Sequence, residues 1–368
     1  MNEKAKIAFT HGDINGISYE ILLKLLSTKD ITKLFTPIVY GSAKVSAYYR
    51  KVLEMDEMPW NRIENPREAS ESEPNLINCV SDDLIVEMGK ATPEAGIASY
   101  EALEVAMKDL LAGEVDALVT APINKSIMPH DRFPYKGHTA YLGAKCHLEK
   151  GQSPLMILMA DRLKVALVTE HIPLSEVSKT LTKERIVAKV KELHSSLIRD
   201  FAIDNPRIAV LALNPHAGDI GLIGDEEKRI ILPAVEECRS NLAIKCFGPY
   251  PSDGFWGSSM LMRFDGVVAM YHDQGLAPFK ALYMDRGVNF TAGLPIVRTS
   301  PDHGVGYDIV GKGIASEESL REATYTAIDV LKNRREHDLA TRNPLRKTYF
   351  ASNNSDNEVL PPIATDED

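Results

Sequence analysis

The chain alternates short apolar runs with stretches of helical periodicity, and that alternation restricts it to an α/β fold: a mostly parallel sheet covered by helices on both faces. The runs at 6–9, 36–40, 116–120, 165–169, 208–213 and 266–271 read as strands, and most end in clusters rich in Gly, Pro, His or Asp. Ligands of such sheets bind beyond the carboxyl ends of the strands, so chemistry is expected in those clusters. Between the runs the spacing predicts a helix over 92–111, with Pro93 in the first turn, Gly113 as the stop, and Ile97, Tyr100, Leu103, Met107 and Leu110 on one face. Ser316 is a predicted N-cap, with Glu317 and Glu318 at the positive end of a helix running to about Asn333. No repeat is visible, and the polar, acid-rich residues 341–368 are expected to form a mobile tail.

Composition narrows the function. A chain of 368 residues with 44% hydrophobic content can bury one large core or two of ordinary domain size. Its apolar runs fall far short of the roughly 20 residues that a membrane-spanning helix needs, so no membrane is expected. No basic segment followed by an apolar one opens the sequence, which makes the cytoplasm the expected location. Cys79, Cys146, Cys238 and Cys246 are scattered and read as reduced core thiols. With 52 acidic against 42 basic side chains and a net charge of −10, the chain lacks the basic surface that nucleic acid requires; a small-molecule ligand is expected.

Three histidines follow strand-like runs: His171 after VALVTE, His216 in LALNPHAGD and His272 in VVAMYHDQG. Each alone is more often a hydrogen-bonded structural residue than a ligand. Together they are candidate ligands for one divalent metal with positions left open for a substrate oxygen, which suits alcohol oxidation. From His272 to Arg298 runs a second cluster, with Lys280, Arg286, Asn289 and Arg298 set in apolar sequence. Lys, Asn and Arg together can hold a phosphate and a carboxylate. Asp253 and Asp273 are carboxylates suited to orienting an imidazole or moving a proton, or to capping a turn. THGDINGISYE joins a strand to a helix through Gly12 and Gly16, with Asp13 at the helix entrance. It is not the GxGxxG fingerprint, which the chain lacks, so any nicotinamide site must be of another kind.

These elements resemble the 4-hydroxythreonine-4-phosphate dehydrogenase family from about Lys6 to Lys332. The motifs that carry the resemblance are THGDINGISYE (10–20), VTAPINK (119–125), GHTAYL (137–142), LNPHAGD (213–219), GPYPSDGFW (248–256), MYHDQGLAPFK (270–280) and RGVNFTAGLPIVRTSPDHG (286–304). The resemblance implies a two-domain α/β/α fold like that of the isocitrate and isopropylmalate dehydrogenases, with the active site in the cleft between domains. On that basis 1–135 plus 300–340 form the nucleotide-side domain, 136–299 the metal and dimer side, and 341–368 the tail. It implies metal ligation by His171, His216 and His272, drawn from both chains of a homodimer with shared active sites, for one divalent ion per site (Zn, Mg or Co). Substrate contacts fall on His138, Thr139, Lys280, Asn289 and Arg298. HGVGYDIVGKG (303–313) is similar to the nucleotide-binding loop of those dehydrogenases, which assigns NAD or NADP to His303, Gly304 and Asp308.

The implied activity is NAD(P)-dependent oxidation of 4-hydroxy-L-threonine 4-phosphate and decarboxylation to 3-amino-2-oxopropyl phosphate, in pyridoxine biosynthesis. Several positions depart from the family pattern. His11, Ile14, Asn15, Ser18 and Tyr19 stand where the family usually has methionine, proline, alanine, glycine and proline, and Ala140 replaces a glutamate. Val305, Gly306 and Tyr307 depart from the small residue, alanine and proline usual in the nucleotide loop. The alternatives are a dehydrogenase of D-threonate or D-erythronate 4-phosphate, or a non-catalytic binder of phosphorylated ligands.

Overall fold

Period-two alternation along the apolar runs decides which side chains face which layer. In β1 (Lys6–Thr10), Ile7 and Phe9 point into one apolar layer and Ala8 into the other. The computed structural model describes residues 4–28, 30–56, 58–148 and 154–343. The remaining strands are β2 (Thr36–Gly41), β3 (Asn61–Ile63), β4 (Asn75–Asn78), β5 (Ala117–Thr120), β6 (Leu155–Ala160), β7 (Leu163–Leu167), β8 (Arg207–Leu211), β9 (Lys245–Tyr250), β10 (Gly266–Ala269), β11 (Val288–Ala292) and β12 (Val297–Pro301). They form one twelve-stranded sheet in the order β3-β4-β2-β1-β5-β12-β11-β6-β7-β10-β8-β9. Pairing is parallel except across the middle, where β12–β11, β11–β6 and β6–β7 are antiparallel.

The helices are α1 (Ser18–Leu26), α2 (Ala43–Val52), α3 (Pro93–Leu111), α4 (His138–Lys145), α5 (Leu174–Thr180), α6 (Lys183–Arg199), α7 (Leu232–Ser240), α8 (Ser252–Trp256), α9 (His272–Tyr283) and α10 (Glu318–Thr341). Among the described residues no helix is long and apolar enough to cross a membrane.

All six predicted runs are strands, with the fourth shifted to 163–167. β11 and β12 break the apolar pattern because Asn289 and Arg298 stand within them, which conceals them from a reading by hydrophobicity. The helix at 92–111 starts as expected, its Thr92 side chain accepting from the Ala95 N–H. The last helix begins at Glu318, whose N–H donates to Ser316 Oγ at 3.3 Å, and it runs beyond Asn333 to Thr341 because Arg334 is drawn into the core. Most of the expected tail, 344–368, lies outside the described residues. Cys238 and Cys246 are buried free thiols, whereas Cys79 and Cys146 are only half-buried, so the expectation of core thiols holds for one pair alone.

One face of the sheet carries a single apolar layer spanning both halves, from Ile7, Phe9 and Val39 to Ile208, Val210 and Val268. The other face is divided: Ala8, Leu118 and Leu142 of α4 belong to one cluster, and Val165, Leu211 and Phe279 of α9 to another. An apolar layer interrupted between α4 and α9 leaves room for polar groups there. The expected domain boundary at residue 300 falls within β12, which pairs with β5 on one side and β11 on the other.

α10 ties these halves together. It packs on β12, β5 and β11, and Arg334 is buried with Nε donating to Asp200 Oδ1 at 2.7 Å at the end of α6. Arg334 Nη1 also donates to the Leu294 and Ile296 carbonyls between β11 and β12, while Asp200 accepts from Ser196. Removing one member of a buried pair strands the other charge, at about 3–5 kcal/mol. Arg334→Met is therefore expected to lower the unfolding free energy by that order, read as a lower urea midpoint at unchanged slope; a midpoint equal to that of the parent protein would show that the tie carries no stability.

Candidate active site

The strands that precede the three candidate metal ligands are immediate neighbours. β7, β10 and β8 lie side by side and parallel, so the segments leaving their carboxyl ends emerge at the same edge. His171 follows β7 and His272 opens α9 after β10; their rings are 5.7 Å apart, centroid to centroid. His272 Nδ1 meets Asp273 Oδ1 at 2.7 Å, which fixes the ring and directs Nε2 outward. Burial, aided by the charge of Lys125 and opposed by that of Glu170, holds the His171 imidazole below its ordinary value.

His216 follows β8 on a different kind of segment. From His216 to Ile220 five consecutive residues have positive φ, between 43° and 79°, and four of them are not glycine. That conformation costs an L-residue about 1–2 kcal/mol. The buried carboxylate of Glu227 anchors the base of this arm, accepting from the Leu213 and Asn214 N–H groups at 2.8 and 2.7 Å. Its tip is bare: Ile220 is 102% and Leu222 84% exposed. Among the described residues no group of three His, Cys, Asp or Glu side chains in one chain forms a metal-holding set. The donor pair His171–His272 fits a divalent cation in chemistry, and among the described residues no third donor joins it.

Across the interrupted face lies a cluster of cations. Arg298, on β12, is 3% exposed, and its guanidinium donates to two threonine hydroxyls, Thr120 Oγ1 (2.6 and 3.1 Å) and Thr291 Oγ1 (3.0 Å). Among the described residues no carboxylate pairs with it, and burial pushes it down to about 9. His138 opens α4; its Nε2 is buried without a partner, and burial, then the charges of Arg298 and Lys125, hold it well below its usual value. Thr139 follows in the same first turn. On β11, Asn289 Oδ1 is likewise buried and unpartnered. Lys280, on α9, donates to the Asp302 carbonyl at 3.1 Å and stands 3.4 Å from its carboxylate. Arg286 is directed elsewhere, 3.7 Å from Asp161.

His303 adjoins this cluster. Its Nδ1 meets the Gly304 carbonyl at 3.1 Å and its Nε2 is buried without a partner. Gly304 and Gly313 leave open space where a Cβ would stand. Asp308 is exposed, its carbonyl accepting from Lys312. Tyr307 binds the turn after β1, its hydroxyl donating to Asp13 Oδ2 and accepting from Asn124 Nδ2 at 3.0 Å. Asp13 is thereby occupied within the fold. Of the two candidate proton-transfer carboxylates, Asp273 is the one on an imidazole; Asp253 is exposed, with Oδ1 accepting from the Gly254 N–H.

His11, a departure in the first motif, is a core residue. It is fully buried between the Tyr19 hydroxyl (3.1 Å) and the Ala98 carbonyl (3.0 Å), and Tyr19 stacks on Tyr49. The residues that composition and spacing did not single out are Lys125, Thr120, Asp302 and Glu227. The first two belong to the cluster that ends the strand at 116–120, and that strand end was the available signal. Glu227 is separated from the loop it anchors by more than two turns of irregular chain and carries no local signal.

A buried guanidinium without a carboxylate partner among the described residues, imidazoles with unpartnered nitrogens and a buried amide oxygen gather in an α/β protein with a mostly parallel sheet. The model of the pyridoxal phosphate biosynthetic protein PdxA matches residues 33–327, and the chain belongs to that family. It is 50% identical over 365 residues to the 4-hydroxythreonine-4-phosphate dehydrogenase of Bacteroides thetaiotaomicron, covering 99% of both chains. It is 44% identical over 323 residues to the enzyme of the same name from Sulfurihydrogenibium, covering 88% of this chain and 97% of the relative. The crystal structure of 4-hydroxythreonine-4-phosphate dehydrogenase from Klebsiella pneumoniae superposes with a TM-score of 0.77 at 34% identity, covering 90% of this chain and 99% of the other. These relatives are dehydrogenases, which supports an oxidoreductase.

Burial holds His11 down to about 4, against 6.5 for an ordinary imidazole. The folded state thus favours neutral His11; the stability this contributes is complete above pH 6.5 and is lost as pH falls through about 4, on the order of 3 kcal/mol in total. Urea midpoints measured from pH 7.5 down to 4.5 are expected to fall less steeply in His11→Gln than in the parent; parallel curves would refute a buried neutral His11.

Proposed function

We propose that the protein is an NAD(P)-dependent, divalent-metal-assisted dehydrogenase that oxidises 4-hydroxy-L-threonine 4-phosphate, with decarboxylation to 3-amino-2-oxopropyl phosphate. The observation that carries this reading is Arg298, a buried guanidinium with hydroxyl partners only, beside an imidazole with an unpartnered nitrogen. Such a charge is poorly compensated until an anion enters. Membership of the family supplies the substrate class.

In this reading Arg298, Lys280 and Asn289 hold the phosphate and carboxylate, with His138 and Thr139 orienting the ligand at the start of α4. His171 and His272, with His216 from a second subunit, hold the cation; His303, Gly304 and Asp308 meet the dinucleotide. The cation supplies Lewis acidity to the substrate hydroxyl and the nicotinamide accepts hydride. Asp273 sets the tautomer of His272, and Asp253 or Asp273 carries the proton released from the hydroxyl. Lys280 is kept in register by Asp302, whose own carboxyl is raised by burial. The sharing of sites in a homodimer is supported by the arm: a strained segment with exposed Ile220 and Leu222 is better explained if a second chain covers it and takes His216.

With the phosphorylated substrate, a divalent salt and NAD or NADP, the absorbance of reduced cofactor is expected to rise, and Arg298→Met to lose roughly a hundredfold in kcat/KM. No reduced cofactor with either nucleotide would overturn the reading. Mixing inactive His171→Ala and His216→Ala subunits is expected to restore about a quarter of parental activity, because half of the dimers then carry one intact site. Failure to restore any activity in mixed dimers would place all three histidines in a site of one chain.

A further inference from the structure

We propose that Lys125 is a further substrate-binding residue, a cation that closes on an oxyanion of the ligand between His138 and the His171–His272 pair; this rests on the reading of the site given above. Lys125 follows β5, the strand that carries Thr120, at the carboxyl edge where the other site residues gather. Its backbone is fixed from three sides. Asn124 accepts from the Ser126 N–H at 3.0 Å and the Ser126 hydroxyl at 2.7 Å, and donates to the Tyr307 hydroxyl at 3.0 Å. The Ile127 carbonyl lies so close to α3 that a Cβ at Gly96 would approach it to 1.8 Å, which explains a glycine inside that helix.

The side chain then runs over Gly137, the residue before α4. Gly137 has φ 151°, and a Cβ built there would lie 3.1 Å from Lys125 Cε and 3.5 Å from Nζ. The ammonium therefore stands at the entrance to α4, next to His138 with its buried, unpartnered Nε2. Its charge reaches His138, which burial first, and then Arg298 and Lys125, hold below its ordinary value. Among the described residues its Nζ has neither a carboxylate nor a hydrogen-bond partner, whereas Lys280 has Asp302. An exposed ammonium at the amino end of α4, beside His138 and facing an open site, has its complement in an anionic oxygen of the ligand. Lysine suits this place because its flexible stem can approach after the ligand has entered.

The oxyanion is a carboxylate or a phosphate, and two probes separate them: inorganic phosphate, and 4-hydroxythreonine without its phosphate. Dissociation constants of both are measured by calorimetry for the metal-loaded parent protein, Lys125→Met and Lys125→Arg. Lys125→Met is expected to weaken one probe by roughly tenfold or more, to raise KM for the full substrate more than it lowers kcat, and to leave KM for the nicotinamide unchanged, with Lys125→Arg recovering part of the loss. Loss confined to phosphate assigns Lys125 to the phosphate, and loss confined to the hydroxy acid assigns it to the carboxylate. If the parent protein binds both probes and Lys125→Met binds both equally well, this inference fails alone. If the parent protein binds neither probe, the reading of the site fails with it.

Discussion

Burying a guanidinium without a carboxylate costs several kcal/mol, and the centre of this molecule is arranged around one such charge. Arg298 stands on β12 in the middle of the sheet, with Thr120 on β5 and Thr291 on β11 as its hydrogen-bond partners. Two hydroxyls satisfy its donors in part and leave its charge uncompensated. The surrounding groups share that character: His138 and His303 each have a buried nitrogen without a partner, and Asn289 a buried oxygen. Such a set costs fold stability, and the proposed binding of an anionic ligand would compensate it.

The sheet makes this arrangement affordable. One apolar layer runs unbroken along one face and carries most of the hydrophobic stabilisation, while the layer on the opposite face is divided between α4 and α9. The polar cluster occupies the division. α10 crosses the central strands, and through Arg334 and Asp200 it holds the two halves in one register. The antiparallel strands at the centre have a further effect: they bring Asn289 and Arg298, nine positions apart in the chain, onto neighbouring strands.

The arm that carries His216 is the counterpart beyond β8. Its consecutive positive-φ residues and exposed apolar tip are costly in an isolated chain, and only its base is anchored, by Glu227. In the proposed dimer a second chain would compensate that cost. Stability and chemistry are thus divided between a well-packed frame and a few positions that are left deliberately incomplete.

The parallel α/β architecture was legible because hydrophobic alternation is a local property: strands around Ile7, Val39, Val119, Ile208 and Val267 and the helix behind Thr92 each declare themselves within a few residues. Strand ends rich in His, Gly and Asp marked the edge where the site lies, since polar residues interrupting apolar runs are visible one segment at a time. Which of those residues meet was decided by strand order. β7, β10 and β8 became neighbours although 98 residues separate the first from the second of them in sequence, and His171 reached His272 for that reason. His11 could not be told from a site residue until its two hydrogen-bond partners, Tyr19 and Ala98, were brought around it, and Lys125, exposed as it is, could not be placed beside His138 until its stem was laid over Gly137. Periodicity is written along the chain, whereas burial and convergence are properties of the space between segments, and only the packed structure contains that space.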